Sequence, residues 1–200
     1  MNIEDKVKTF EKELEFIKNP QIKLFAEKAI ESLPDYFFVI PASSTGKYHP
    51  AYALGNGGLV RHTIAAVRIA IELFRTELWK LSDDHKDLIL VGLMLHDGFK
   101  SGSPQEKFSR ADHPNVAVRE ISNNQELVSI LPKEQIDYIL DNIKTHMGRW
   151  AFDYKTKQKI LDEPKSVSQI FTHLADYLAS RKQLEFNFDV DISREDEPKA

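Results

Sequence analysis

The sequence predicts an all-α helical bundle, folded as one domain over residues 1–181 and followed by a tail over 182–200. Three observations lead there. Apolar residues recur at steps of three and four along most of the chain, the period of a helix with one buried face. Serines, prolines and glycines fall at the ends of those stretches, where helices start and stop. Residues 88–95, LILVGLML, are apolar or glycine on every side, which suits a helix at the centre of a bundle.

The elements follow in order. Residues 3–18 place Val7, Phe10, Leu14 and Ile17 at helical spacing. A second N-terminal helix is expected over 20–33, with Pro20 in its first turn and Pro34 stopping it. Residues 36–181 then carry the motifs. YFFVIPASS reads as a short extended or turn segment. Gly46, Pro50, Gly55 and Gly57 make 43–57 a long loop. A strong helix is expected over 58–80, its stripe running Val60, Ile64, Val67, Ile71, Phe74 and Leu78. Ser82 N-caps the all-apolar helix, with acidic residues in its first turn. A Gly/Ser/Pro loop spans 98–112, and Pro114 marks a helix start near 113. In 132–148, Ile136, Ile139, Leu140 and Ile143 share one face, with Gly148 as the stop. A last helix is expected over 164–181. In the tail Leu184, Phe186, Phe188, Val190 and Ile192 alternate with polar residues. A short strand over 184–192 could therefore pair with 36–41 or with a partner chain. The final SREDEPKA is expected to be disordered.

Composition narrows the function. A chain of 200 residues with 42% hydrophobic content can bury a sizeable core. Its net charge of −4 does not favour a long nucleic acid, which usually needs a basic surface. No apolar run reaches a membrane span, and MNIEDKVKTF lacks the apolar core of a signal peptide. Both favour the cytoplasm; the oligomeric state stays open. With no cysteine, disulfides and thiolate ligands are excluded, so any metal site uses His, Asp and Glu.

His96 and Asp97 end the apolar run, with Lys100 three residues later. Burying such a pair without a partner is costly. Either it lies at an exposed helix end, or something in the interior satisfies it. His62 lies near the start of one expected helix, His113 starts another, His146 ends a third and Asp176 is late in the last. Helices of a bundle can bring such residues to one point, and imidazoles and carboxylates are good ligands for divalent metals. Any one of these histidines alone reads as a hydrogen-bonded structural residue; the ordered set of one candidate per helix favours a metal. His85, among Ser, Asp and Lys, reads as a solvated loop residue, and His173, three before Asp176, as a supporting or structural one.

The segments GGLVRHT, LMLHDGFK and LADYLASR, in this order, resemble the HD-domain superfamily of metal-dependent phosphohydrolases over residues 36–181. ADHPNVA and IKTHMGRW look like the extra histidines of its two-metal branch. FFVIPASSTGKYHPAYALGNGGLVRHT is similar to the region before the first ligand in the HD domain of a bacterial 3′-to-5′ exoribonuclease. One departure is visible: the usual HDIGK is here HDGFK, which leaves Lys100 in register and alters the turn before it.

The resemblance implies that His62, His96, Asp97 and Asp176 hold one divalent ion, and that Asp97 bridges to a second held by His113 and His146. The ions would be Mn, Fe, Mg, Ni or Co. It also implies catalytic roles for Asp97 and Lys100, the lysine neutralising a phosphate oxygen. An exposed lysine favouring the helix macrodipole is the plainer reading of Lys100. HMGRWAFDYKTKQK sets Arg149 and lysines beside Trp150, Phe152 and Tyr154, either to grip a nucleotide or as a solvated loop with inward-packed aromatics. Lys47 and His49, with Tyr48, could line the mouth of the site. The expected activity is hydrolysis of a phosphoester in a nucleotide or short oligonucleotide. The alternatives are a di-iron oxygenase on the same fold and a non-catalytic, metal-containing nucleotide sensor.

Overall fold

The computed structural model describes residues 1–43, 45–153 and 156–184. Among them the secondary structure is helical, as the sequence predicts, with a single isolated bridge between Phe152 and Lys159. The helices are α1 (Ile3–Lys8), α2 (Glu11–Leu14), α3 (Pro20–Ser32), α4 (Gly58–Arg75), α5 (Asp83–Leu95), α6 (His113–Asn123), α7 (Gln125–Val128), α8 (Lys133–Thr145) and α9 (Val167–Ala179).

Helix α5 is the hub. Asp87 and every residue from Leu88 to Leu95 are buried, and α3, α4, α8 and α9 all pack against it. Ser82 caps it by accepting the His85 amide. Asp87 is its one buried charge, and it accepts the Lys18 and Asn19 amides ahead of α3. The polar side chain thus ties the N-terminal helices to the hub. Helix α9 pairs along α4 and starts with a capping box of Ser166 and Gln169.

Several expectations change. The helix over 3–18 is broken at Thr9–Phe10, where the Phe10 amide bonds back only three residues and the Thr9 hydroxyl donates to the Asp5 carbonyl. The break turns Phe10 into the core, stacked on Phe37 at 6.3 Å. The stripe of α4 stops at Phe74. The helix ends at Arg75, Glu77 takes a left-handed φ of 57°, and Leu78 is 81% exposed. His85 is not in a loop: it lies in the first turn of α5, its ring stacked on Tyr138 at 4.7 Å. The 36–41 half of the expected strand pair is a 3-10 turn, Asp35–Phe38, with Tyr36, Phe37 and Phe38 all buried. Three consecutive buried rings cannot alternate across a sheet. Leu184 closes another 3-10 turn, and residues 185–192 of the other half, like the rest of the tail, lie outside the described residues.

Candidate metal centre

Four helix ends and one helix interior carry the predicted ligands. His62 is in the second turn of α4, whose start is fixed by Gly58. A Cβ there would lie 2.2 Å from the Ala53 carbonyl oxygen and 3.1 Å from Pro41 Cα, so loop and helix touch backbone to backbone. His96 and Asp97 follow the last residue of α5. His113 opens α6, and His146 caps the C-terminus of α8. Asp176 comes from the last turn of α9. The structure brings all six side chains together.

Their arrangement has two lobes around Asp97. On one side His62 Nε2 is 2.9 Å and His96 Nε2 is 3.4 Å from Asp176 Oδ1. The same two nitrogens are 3.8 and 3.5 Å from Asp97 Oδ2. On the other side Asp97 Oδ1 is 2.9 Å from His113 Nε2 and 3.8 Å from His146 Nε2. One carboxylate therefore presents a different oxygen to each histidine set. His62, His96 and Asp176 form one mutually close triad, and His96, Asp97 and His146 another. His96 thus stands between the lobes, and His113 Nε2 is the nitrogen nearest Asp97 Oδ1.

Hydrogen bonds fix which nitrogen of each ring is free. Nδ1–H of His96, His113 and His146 donates to the carbonyls of Leu93, Arg110 and Ile143, at 2.6, 2.7 and 2.7 Å. Each Nε2 is then left with a lone pair facing inward. His113 and His146 present these lone pairs to each other across 3.2 Å. His96 Nε2 and Asp97 Oδ1 are buried without a hydrogen-bond partner. A cluster of bare acceptors this close needs a cation or extra protons to offset its repulsion and desolvation. The residues present fit a divalent ion on that ground.

Protonation follows from the same crowding. Burial alone would raise Asp97, but the Lys100 ammonium and the His96 ring outweigh it and hold the carboxyl well below the usual carboxylate range. Asp176 is likewise held well below that range, its burial outweighed by the hydrogen bond with His62 and the adjacent His96 ring. Burial with the neighbouring charges of His96 and His113 drives His146 down to about 3, so its ring is neutral. His96 is also pulled down by burial, yet Asp97 and Asp176 raise it. Ionised carboxylates and a neutral His146 are the forms that bind metal.

The altered turn after Asp97 has a local cause. A Cβ on Gly98 would lie 2.5 Å from Leu33 Cδ2 and 3.1 Å from the Leu95 carbonyl oxygen, so a larger residue would have to displace the buried Leu33 side chain. Phe99 is buried instead. The Lys100 amide still bonds back to the Asp97 carbonyl, and its Nζ is 2.5 Å from Asp97 Oδ2. Its side chain is 14% exposed, so it is not the solvated helix-end lysine of the plainer reading. His173 does support the site: its Nδ1–H donates to the His146 carbonyl at 2.6 Å.

A cleft of about 130 Å³ opens beside the cluster, lined by His49, His62, Asp97, Lys100, His146, Met147, Trp150, Asp176, Tyr177, Ser180 and Arg181. His49 reaches it, its ring 5.4 Å from that of His62. Arg149 and Lys47 do not line the cleft; Arg149 lies over Trp150 at 4.6 Å and Lys47 over Tyr48 at 5.1 Å. Trp150 and Phe152 are exposed rather than packed inward, while Tyr154 falls outside the described residues. Sequence reasoning misses Tyr177, Ser180 and Arg181. A signal for one of them exists: Ser180 is four residues after Asp176 and so shares its helix face.

No helix is long and apolar enough to cross a membrane among the described residues. No curated protein and no solved structure matches the chain, so the likeness to an exoribonuclease domain gains no support from these comparisons. The HD domain family, in contrast, matches residues 59–181, more than half of the chain and a span that contains all six clustered side chains. The chain belongs to the HD-domain family.

Proposed function

We propose that this protein is a metal-dependent phosphohydrolase that cleaves a phosphoester of a nucleotide or short oligonucleotide. One observation carries the reading: Asp97 splits its two oxygens between two histidine sets whose Nε2 atoms face inward, beside a cleft walled by Lys100. His62, His96 and Asp176 with Asp97 Oδ2 would hold one divalent ion; His113 and His146 with Asp97 Oδ1 would hold a second. Ions bound there would supply Lewis acidity toward a phosphoryl oxygen and a water acidic enough to attack phosphorus near neutral pH.

The chain's own residues do the rest. Asp97 stays ionised and fixes the two histidine sets relative to each other. The carbonyls of Leu93, Arg110 and Ile143 hold the three rings in one tautomer and one orientation. Lys100, in the wall of the cleft, would offer its ammonium to charge that develops on a phosphate oxygen. The acidic balance of the chain favours a small phosphorylated substrate over a long nucleic acid.

The test is elemental analysis of the purified protein, followed by a phosphoester panel with added Mn²⁺, Fe²⁺ and Mg²⁺. Metal-dependent product release supports the reading. Oxygen consumption with an iron signal and no ester cleavage would replace it by an oxygenase. Tight nucleotide binding without product would replace it by a sensor.

A further inference from the structure

The cleft beside the metal centre is small. Its volume is about 130 Å³, whereas pockets that enclose a whole small ligand run to roughly 300–1,000 Å³. The remainder of a nucleotide would have to lie on the rim, and the rim has a distinct composition. Arg181 places its guanidinium 4.6 Å from the Tyr177 ring centroid, 5.5 Å from Trp150 and 5.7 Å from Tyr48. Trp150 and Tyr177 are near parallel, with centroids 5.8 Å apart. Trp150 is 39% exposed.

Charge matching singles out the same place. Arg68, Arg75, Arg110 and Arg119 are each paired with a carboxylate. Arg61 is matched to the carbonyls of Tyr52, Leu54 and Asn56. Among the described arginines only Arg149 and Arg181 have neither kind of partner, and both lie against Trp150. Arg181 donates to one acceptor, the Ser180 hydroxyl, through Nε at 3.1 Å and Nη2 at 2.8 Å. A guanidinium has five N–H donors in a planar fork, so most of its capacity is unspent in a residue that lines the cleft. Aromatic contacts hold it there without neutralising it.

We propose that Arg181, on its platform of Tyr48, Trp150 and Tyr177, is a specificity-determining residue that grips a second phosphate, beyond the one at the metal centre, while Trp150 stacks the adjoining base. The ligand class is a nucleotide with at least two phosphates. The inference rests on the phosphohydrolase reading for its turnover measurements, but not for its binding measurement. The rival role for Arg181 is helix-end stabilisation of α9, which needs a positive charge and no fork.

The experiment uses the Mn²⁺-loaded full chain and Arg181→Gln, Arg181→Lys and Trp150→Leu variants. Substrates are ADP, the dinucleotide pApA and bis(p-nitrophenyl) phosphate, which has one phosphate. Arg181→Gln should lower kcat/KM for a two-phosphate substrate about tenfold to a hundredfold, mainly through KM, as loss of a charged hydrogen bond does. The one-phosphate ester should change less than about twofold. Arg181→Lys should restore only part of the loss, because it keeps charge without the planar fork. Whichever of ADP and pApA is affected more tells a nucleoside polyphosphate from an oligonucleotide end. Equal losses on all three substrates, full rescue by lysine, or no loss would overturn the proposal. If the parent protein cleaves no ester, the phosphohydrolase reading fails by itself. The subsite is then judged by equilibrium titration of pApA and ADP, read by tryptophan fluorescence. Quenching absent in Trp150→Leu and binding about tenfold weaker in Arg181→Gln support it; unchanged titrations reject it.

Discussion

At the residue scale the proposed function asks Asp97 to hold metal and Lys100 to handle charge. Asp97→Asn keeps the shape of the side chain and removes its charge from both lobes. It is expected to empty the centre and lower turnover by at least about 10²–10³, the usual cost of losing one major electrostatic element; metal content and phosphate release measured on the same preparation check it. Lys100→Ala should leave metal content unchanged and lower kcat by on the order of 10²–10³. A rise in KM alone would mean that Lys100 grips substrate and transition state alike. His146 gives a pH signature in the metal-stripped protein. Its pKa falls from 6.5 to about 3 on folding, so below 6.5 the unfolded chain binds a proton that the fold refuses. Stability should therefore fall as pH drops from 6.5 toward 3, by on the order of 1 kcal/mol per pH unit. His49, lowered to about 4 by burial and the nearby charges of His62 and Lys100, acts in the same direction. His96 is raised instead, so its stabilisation is fully present below 6.5 and adds no slope in that window. Thermal melts at pH 7 and pH 5 test this, and His146→Gln should show the shallower slope.

At the element scale the site depends on where helices stop. Gly148 follows the end of α8 by three residues and opens the next 3-10 turn with a left-handed φ of 55°, and a Cβ there would lie 2.3 Å from the His173 ring. Gly148→Ala would push His173 off the His146 carbonyl and cost roughly 1–3 kcal/mol, as overpacking and backbone strain do. Denaturant melts would show the loss, and a weakened second metal should accompany it. This stop is legible in the sequence because glycine after a periodic apolar run is a physical signal. The hub helix is legible too, since no exposed helix is apolar on every side. The break at Phe10 and the early end of α4 are not. Both depend on what the next layer packs against, and the apolar period runs straight through Phe10 and on to Leu78. The expected strand at 36–41 fails for a related reason: aromatic residues have strand propensity, but three buried in succession settle into a turn.

At the scale of the whole molecule, the six clustered side chains come from five separate segments between residues 62 and 176, so metal binding and folding are one equilibrium. Metal held at 100 times its Kd should add about 2.7 kcal/mol, which raises Tm by roughly 5–10 °C for a chain of this size. A chelator should reverse the shift, and a melt indifferent to both would detach the cluster from any ion. The six clustered residues are legible in the sequence because each stands at a recognisable place in a motif. The rim is not. Arg181, Tyr177 and Tyr48 come from distant segments and meet only in three dimensions, and an arginine without a carboxylate partner is invisible until every other arginine has been paired. The decisive experiment for a hydrolytic two-metal centre is a titration of the metal-stripped protein with Mn²⁺, reading phosphoester hydrolysis against equivalents added per chain. Hydrolysis should rise with added metal and level off at about two equivalents, the number the two lobes imply. Metal bound with no hydrolysis at any loading would contradict it.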